Sequence, residues 1–132
     1  MKLSTRGRYG LMAMYHLAVN YGKGPLSVNY IAEAEGLSVA YLEQLFSRLK
    51  KRKLVESIRG AQGGYVLASP PEDIAIGEVI AALEGEMAFS CCTGDEEINC
   101  ERGVACSAKS ILDRIQDEVD GVLNSMSLAD MR

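Results

Sequence analysis

The stretch from residue 27 to 68 constrains the fold more than any other part of the chain, because two helical patterns meet at a glycine and run into a glycine-tipped β pattern. Ser27 can cap a short helix through about Glu35, and Gly36 supplies the positive φ that ends it. Ser38 caps the next helix, whose Leu42, Leu45, Phe46 and Leu49 recur at i, i+3, i+4 and i+7 and so turn one apolar stripe toward a core. Its other face carries Ala40, Glu43, Gln44, Ser47, Arg48 and Lys51. Two short helices joined by a glycine-containing turn, the second polar and basic outward, are what a helix-turn-helix requires. Beyond the basic run 50–53, segments 54–59 and 65–68 flank Gly60-Ala61-Gln62-Gly63-Gly64, which predicts a β-hairpin with a five-residue loop.

Around this module the pattern stays mainly helical. Leu11, Met12, Tyr15, Leu17 and Ala18 predict a first helix over 4–21, with Ser4 or Thr5 as N-cap and Gly22 past its end. His16, the only histidine, has no evident partner nearby and is expected to be packed or at the surface rather than a ligand. Pro70 and Pro71 precede a strand-like 74–76 and a short helix over 77–84 closed by Gly85. Residues 86–106 lack sustained periodicity and are expected to form a loop. From 107 to 126, Ile111, Leu112, Ile115, Val119, Val122, Leu123 and Met126 make one stripe along a helix about 30 Å long, more than a fold this small needs for its own core. A partner helix in a two-fold dimer would bury such a stripe, and packing back on the same domain is the alternative. The expected fold is mainly α with a small β-hairpin. It divides into a winged helix-turn-helix over 1–85, a cysteine-bearing loop over 86–106, and a long C-terminal dimerisation helix with its tail over 107–132.

Charge is unevenly divided along the chain. Through Ala68 ten Lys and Arg face four acids, and from Ser69 onward four bases face fourteen, so a net charge of −4 conceals a basic first part suited to a polyanion. At 132 residues, 48% hydrophobic and 24% charged, the chain fits one ordinary folded domain with or without an extended element. No run approaches the roughly 18 apolar residues of a membrane span, and MKLSTRGRYG is not followed by a signal-type apolar core. A cytoplasmic protein without a membrane partner is therefore expected. In that compartment four cysteines at 91, 92, 100 and 106 point to metal or redox chemistry.

Base reading in a major groove needs short hydrogen-bonding side chains near a helix start, and the third helix offers Ser38, Tyr41, Glu43, Gln44 and Arg48. Glu43 can accept from a cytosine amino group and Gln44 can pair bidentately with adenine, while Arg48, Lys50 and Lys51 suit phosphates. Arg59, at the base of the hairpin tip, suits a narrow minor groove. Gln62 and Gly63 complete the candidate set, since three glycines let backbone approach another surface closely. Catalysis has little support. No nucleophile and base stand together, and GAQGG joins two strands, whereas a phosphate cradle opens a helix. Cys92, Cys100 and Cys106 lack the close C-x2-C pairing of zinc knuckles. Their spacing alone leaves an iron–sulfur cluster, zinc and a thiol–disulfide switch open.

With these parts in view, KLSTRGRYGLMAM, IAEAEGLSVAYLEQLFSRLKK, LVESIRGAQGGYVLA and IGEVIAALEG resemble the Rrf2 family of bacterial regulators nearly end to end, most specifically in GRYG and RGAQGGYVL. The resemblance implies a homodimer crossed by the long helix, with double-stranded promoter DNA read by the third helix and wing as repressor or activator. In IscR-like members three cysteines of this loop hold a [2Fe-2S] cluster, and Cys92, Cys100 and Cys106 match that pattern. A [4Fe-4S] cluster, or none, is the alternative. The histidine that can serve as fourth ligand in such proteins is replaced by Lys109, whose protonated amine has no free lone pair, and the acidic position used by nitric-oxide sensors is Arg8. The fourth ligand is thus open, with Cys91 the candidate by chemistry, despite the strain of adjacent cysteines on one iron, and Glu101 an oxygen alternative. The function implied is a regulator sensing iron–sulfur or redox status. A cluster-free regulator working through an enzyme of cysteine metabolism, and a thiol switch, are the competing readings.

Overall fold

The computed structural model describes residues 3–85 and 107–132. Helices α1 (Thr5–Val19), α2 (Val28–Glu35) and α3 (Val39–Lys51) are followed by strands β1 (Val55–Ile58) and β2 (Gly64–Leu67). A 3-10 turn (Pro71–Asp73), α4 (Ile76–Glu84), α5 (Lys109–Ser125) and a second 3-10 turn (Leu128–Met131) complete the order. The strands pair antiparallel from Val55↔Leu67 to Ile58↔Gly64, leaving loop 59–63 between them. Among the described residues no helix is long and apolar enough to cross a membrane.

The helix-turn-helix forms for the reasons its sequence gives. Ser27 and Ser38 accept the backbone N–H of Tyr30 and Tyr41 at 3.2 and 3.1 Å, satisfying donors that the first turns leave free. Gly36 ends α2 at φ 68°. Leu42, Leu45, Phe46 and Leu49 are all buried. α3 closes through Lys53, held at φ 63°, with its N–H on the Lys50 carbonyl at 2.9 Å and the Leu54 N–H on the Leu49 carbonyl at 3.1 Å. That is a Schellman closure with lysine in the left-handed position usually given to glycine.

The first helix departs from expectation in phase and in capping. Its buried residues are Gly7, Gly10, Ala13, Met14, Leu17 and Ala18, whereas Tyr15 is exposed and Leu11 and Met12 only half-buried. The apolar spacing found Leu17 and Ala18 but missed the rest of the inner face, because two of its positions are glycines, which carry no hydrophobic signal. They are needed there. A Cβ on Gly10 would lie 2.0 Å from Leu83 Cδ1, so α1 and α4 approach at a distance that only glycine permits. Ser4 occupies the N-cap position without capping by its side chain. Its hydroxyl instead donates to Glu84 Oε1, and the same oxygen accepts the Gly7 N–H at 2.9 Å, so a carboxylate from the end of α4 takes the role of cap.

The strand-like 74–76 reduces to a single bridge, Ala75 with Ser127. The Ile76 N–H donates to the Met126 carbonyl at 2.9 Å and the Leu128 N–H to the Ile74 carbonyl at 3.0 Å. This pins the segment after α5 to the head, and Leu128 enters the core fully buried beside Ile74. Residues on both sides of the expected boundary at 107 thus contribute to one core. α5 packs against α4 at Gly77, where an added Cβ would stand 3.2 Å from Leu123 Cβ. Along the rest of its stripe Ile111 and Val122 remain 53% and 55% exposed.

Candidate nucleic-acid interface

The outer face of α3 gathers Glu43, Gln44 and Arg48 with Ala40 and Ser47 around one shallow surface depression. All five of these residues are exposed to solvent, as is Lys51 at the helix end. Arg48, Lys50 and Lys51 crowd the last turn, where positive charge also complements the helix dipole. At the start of the helix Ser38 spends an acceptor lone pair on its cap and keeps its hydroxyl proton to donate. Tyr41 is half-buried, its ring edge-on to Tyr9 at 6.1 Å, and the guanidinium carbon of Arg8 lies 5.7 Å from the Tyr9 centroid.

The wing carries the second group of candidates, Arg59 and Gln62, both exposed, with Gly63 between them and β2. Gly63 is required by a close approach, since a Cβ there would lie 2.1 Å from the Ile58 carbonyl oxygen while its N–H donates to Gly60 at 3.0 Å. The hairpin is fixed to α3 at two points. Lys50 Nζ donates to Ser57 Oγ at 2.9 Å, so Lys50 is a tie to β1 in addition to any phosphate role. Tyr65 stacks on Phe46 with ring centroids 4.4 Å apart and planes 10° from parallel. Tyr65 also exchanges both backbone hydrogen bonds with Leu26, at 2.9 and 3.0 Å, which extends the hairpin to the α1–α2 connection. Burial raises the Tyr65 hydroxyl pKa above its ordinary 10.0, and the charge of Glu43 raises it further.

Sequence reasoning missed Tyr65, Tyr9 and Leu26 as the supports of this face. The β-branched and aromatic content around Tyr65 marked a strand, but a stack on Phe46 across eighteen intervening residues has no local signal. It also gave His16 no partner, whereas Nε2 of His16 lies 2.7 Å from Glu35 Oε1, joining α1 to α2, with edge-on rings at Tyr15 and Tyr30. Among the described residues no group of three or more His, Cys, Asp or Glu is placed to hold a metal ion. Cys91, Cys92, Cys100, Cys106 and Glu101 lie outside the described residues. Lys109 Nζ donates to Asp113 at 2.8 Å.

Comparison with known proteins agrees with this architecture. The IscR regulators of Escherichia coli and Serratia proteamaculans are 39% and 38% identical over 131 residues, covering 99% of this chain and 80% and 79% of theirs. The structure of CymR, the global cysteine regulator of B. subtilis, superposes with a TM-score of 0.81 at 44% identity, covering 99% of this chain and 95% of that one. That of T. potens IscR superposes with a TM-score of 0.78 at 44% identity, covering 99% and 85%. A family model described as iron-dependent transcriptional regulator matches residues 3–132, and the chain belongs to that family, Rrf2, of winged-helix transcriptional regulators.

Proposed function

We propose that the chain is a sequence-specific regulator that binds double-stranded promoter DNA as a homodimer, in the cytoplasm, with α3 in the major groove and loop 59–63 at the adjacent minor groove. The observation that carries this reading is the outer face of α3, where Glu43, Gln44 and Arg48 line one depression directly in front of the buried Leu42, Leu45, Phe46 and Leu49. A helix packed so firmly along its back presents donors and acceptors in fixed places, which base readout demands. Gln44 then pairs with adenine and Glu43 with a cytosine amino group, flanked by Ser38 and Tyr41. Arg48 and Lys51 hold phosphates, and Arg59, Gln62 and Gly63 meet the minor groove. The exposed Ile111 and Val122 of α5 support a two-fold partner along that helix. Selection from a random-sequence duplex pool tests the reading. Gln44→Ala should relax the choice at one base at a cost of about 1–3 kcal/mol. Arg48→Ala should weaken all sequences alike and lower the salt slope by about 1. Unchanged binding in both Gln44→Ala and Arg59→Ala at physiological salt would sink it.

The cysteine pattern and the IscR relatives further support a [2Fe-2S] cluster on Cys92, Cys100 and Cys106, with Cys91 the candidate fourth ligand. Such a cluster, when bound, supplies one-electron redox chemistry. The described residues that family patterns suggest as a fourth ligand do not help: Lys109 is hydrogen-bonded to Asp113 and Arg8 lies by Tyr9. The similarity to CymR favours a second reading, a cluster-free regulator working through an enzyme of cysteine metabolism. Iron and acid-labile sulfide in anaerobically purified protein separate the two. Stoichiometric iron that is lost in Cys92→Ser supports the cluster, and iron-free protein that still binds DNA supports the second reading.

A further inference from the structure

A cleft of about 430 Å³ opens where the end of α3, the feet of both strands and the start of α4 meet. Its volume lies within the range of roughly 300–1,000 Å³ usual for small-molecule sites. Leu54 and Ile74, both buried, form an apolar floor. Two bases, Arg52 and Lys53, and two acids, Asp73 and Glu78, stand around it. Among the described residues none of these four forms an ion pair with another, although the cleft holds both signs. Lys53 reaches this position from a left-handed backbone that glycine would occupy without cost.

A lone anion would meet the acids and a lone cation the bases, so a single charge gains little here. A molecule carrying both charges a short distance apart can satisfy both pairs of lining side chains at once. We propose that this cleft binds a free α-amino acid, its carboxylate on Arg52 and Lys53, its ammonium on Asp73 and Glu78, and its side chain over Leu54 and Ile74. Charge-assisted hydrogen bonds of this kind, bidentate at the guanidinium, are the strong ones. The occupant would touch the end of the recognition helix and the base of the wing together.

The test needs no DNA, so it stands or falls apart from the regulatory reading. The full chain, isotopically labelled, is titrated with glycine, leucine, glutamate and lysine, with acetate and methylammonium as single-charge controls, while the NMR signals of Leu54, Ile74 and Ala81, which also lines the cleft, are followed. Saturable shifts centred on these residues are expected with at least one amino acid and not with the controls. Arg52→Gln and Glu78→Gln, at exposed positions, should each weaken binding by about tenfold or more while leaving the rest of the spectrum in place. The proposal is overturned if no amino acid saturates, if acetate or methylammonium binds as well, or if either variant binds like the parent.

Discussion

Gly10→Ala is the sharpest probe of how this molecule is packed. An added Cβ would stand 2.0 Å from Leu83 Cδ1, 3.2 Å from its Cγ and 3.3 Å from its Cδ2. Favourable carbon contacts begin at about 3.5 Å. Leu83 is fully buried, so it can yield only by moving its neighbours. Overpacking of this kind costs about 1–3 kcal/mol. Against that stands the gain of about 1 kcal/mol that alanine brings over glycine inside a helix. Gly121 in α5 provides the control, because a Cβ there meets nothing within 4 Å and the position lies off the apolar stripe. Gly121→Ala therefore takes the same gain without the clash. The difference between the two variants isolates the steric cost, and Gly121→Ala should be more stable by about 1–3 kcal/mol. Urea unfolding followed by circular dichroism, at one fixed protein concentration, measures it. Leu83→Ala alone should cost about 2–5 kcal/mol, and the double variant less than the two singles together, because the new methyl fills part of the void. If Gly10→Ala proves as stabilising as Gly121→Ala, Leu83 is not seated on Gly10 and the close α1–α4 approach assigned to that glycine is wrong.

Three further outcomes are expected. Glu84→Ala removes the oxygen shared by the Gly7 N–H and the Ser4 hydroxyl and should cost about 1–2 kcal/mol in thermal unfolding, with Glu84→Gln, which keeps an acceptor, losing less. Lys53→Gly relieves a left-handed lysine worth about 1–2 kcal/mol and returns about 0.5–1 kcal/mol to the unfolded chain, for a net gain of about 0–1.5 kcal/mol; a loss in urea unfolding would contradict the Schellman assignment. Because the folded-state pKa of Tyr65 is raised, its contribution to stability is fully present below pH 10.0 and drains as pH rises through the folded value. Tyr65→Phe should flatten that alkaline loss, and Glu43→Gln should bring the tyrosinate absorbance transition of Tyr65 down toward 10.0.

The helix-turn-helix and wing were legible because their signals are local. A cap, a left-handed glycine and a four-residue apolar stripe each act within a turn or two, and Ser27, Gly36 and Ser38 did as their positions demand. The first helix misled because close helix contact is made by removing side chains, and Gly7 and Gly10 leave no hydrophobic mark on the inner face they define. Glu84 as cap, His16 with Glu35, and Tyr65 on Phe46 join residues far apart in the chain, so no spacing rule announces them. Of the interface, the outward residues of α3 could be named from periodicity alone. Their supports could not, because these come from the fold rather than from the helix that carries them.

The burial of Leu128 bears on how the head is built in time. Among the described residues every other fully buried apolar anchor of this core lies between Ala13 and Leu83, and then the chain runs through α5 before delivering the last one. Until that distant residue has been joined to the chain, the interior beside Ile74 lacks the side chain that completes it. Contacts of such long sequence separation are closed late, because the loop between them must be ordered first. The winged-helix module, which looks self-contained when drawn as a motif, acquires its finished interior only after α5 has been synthesised.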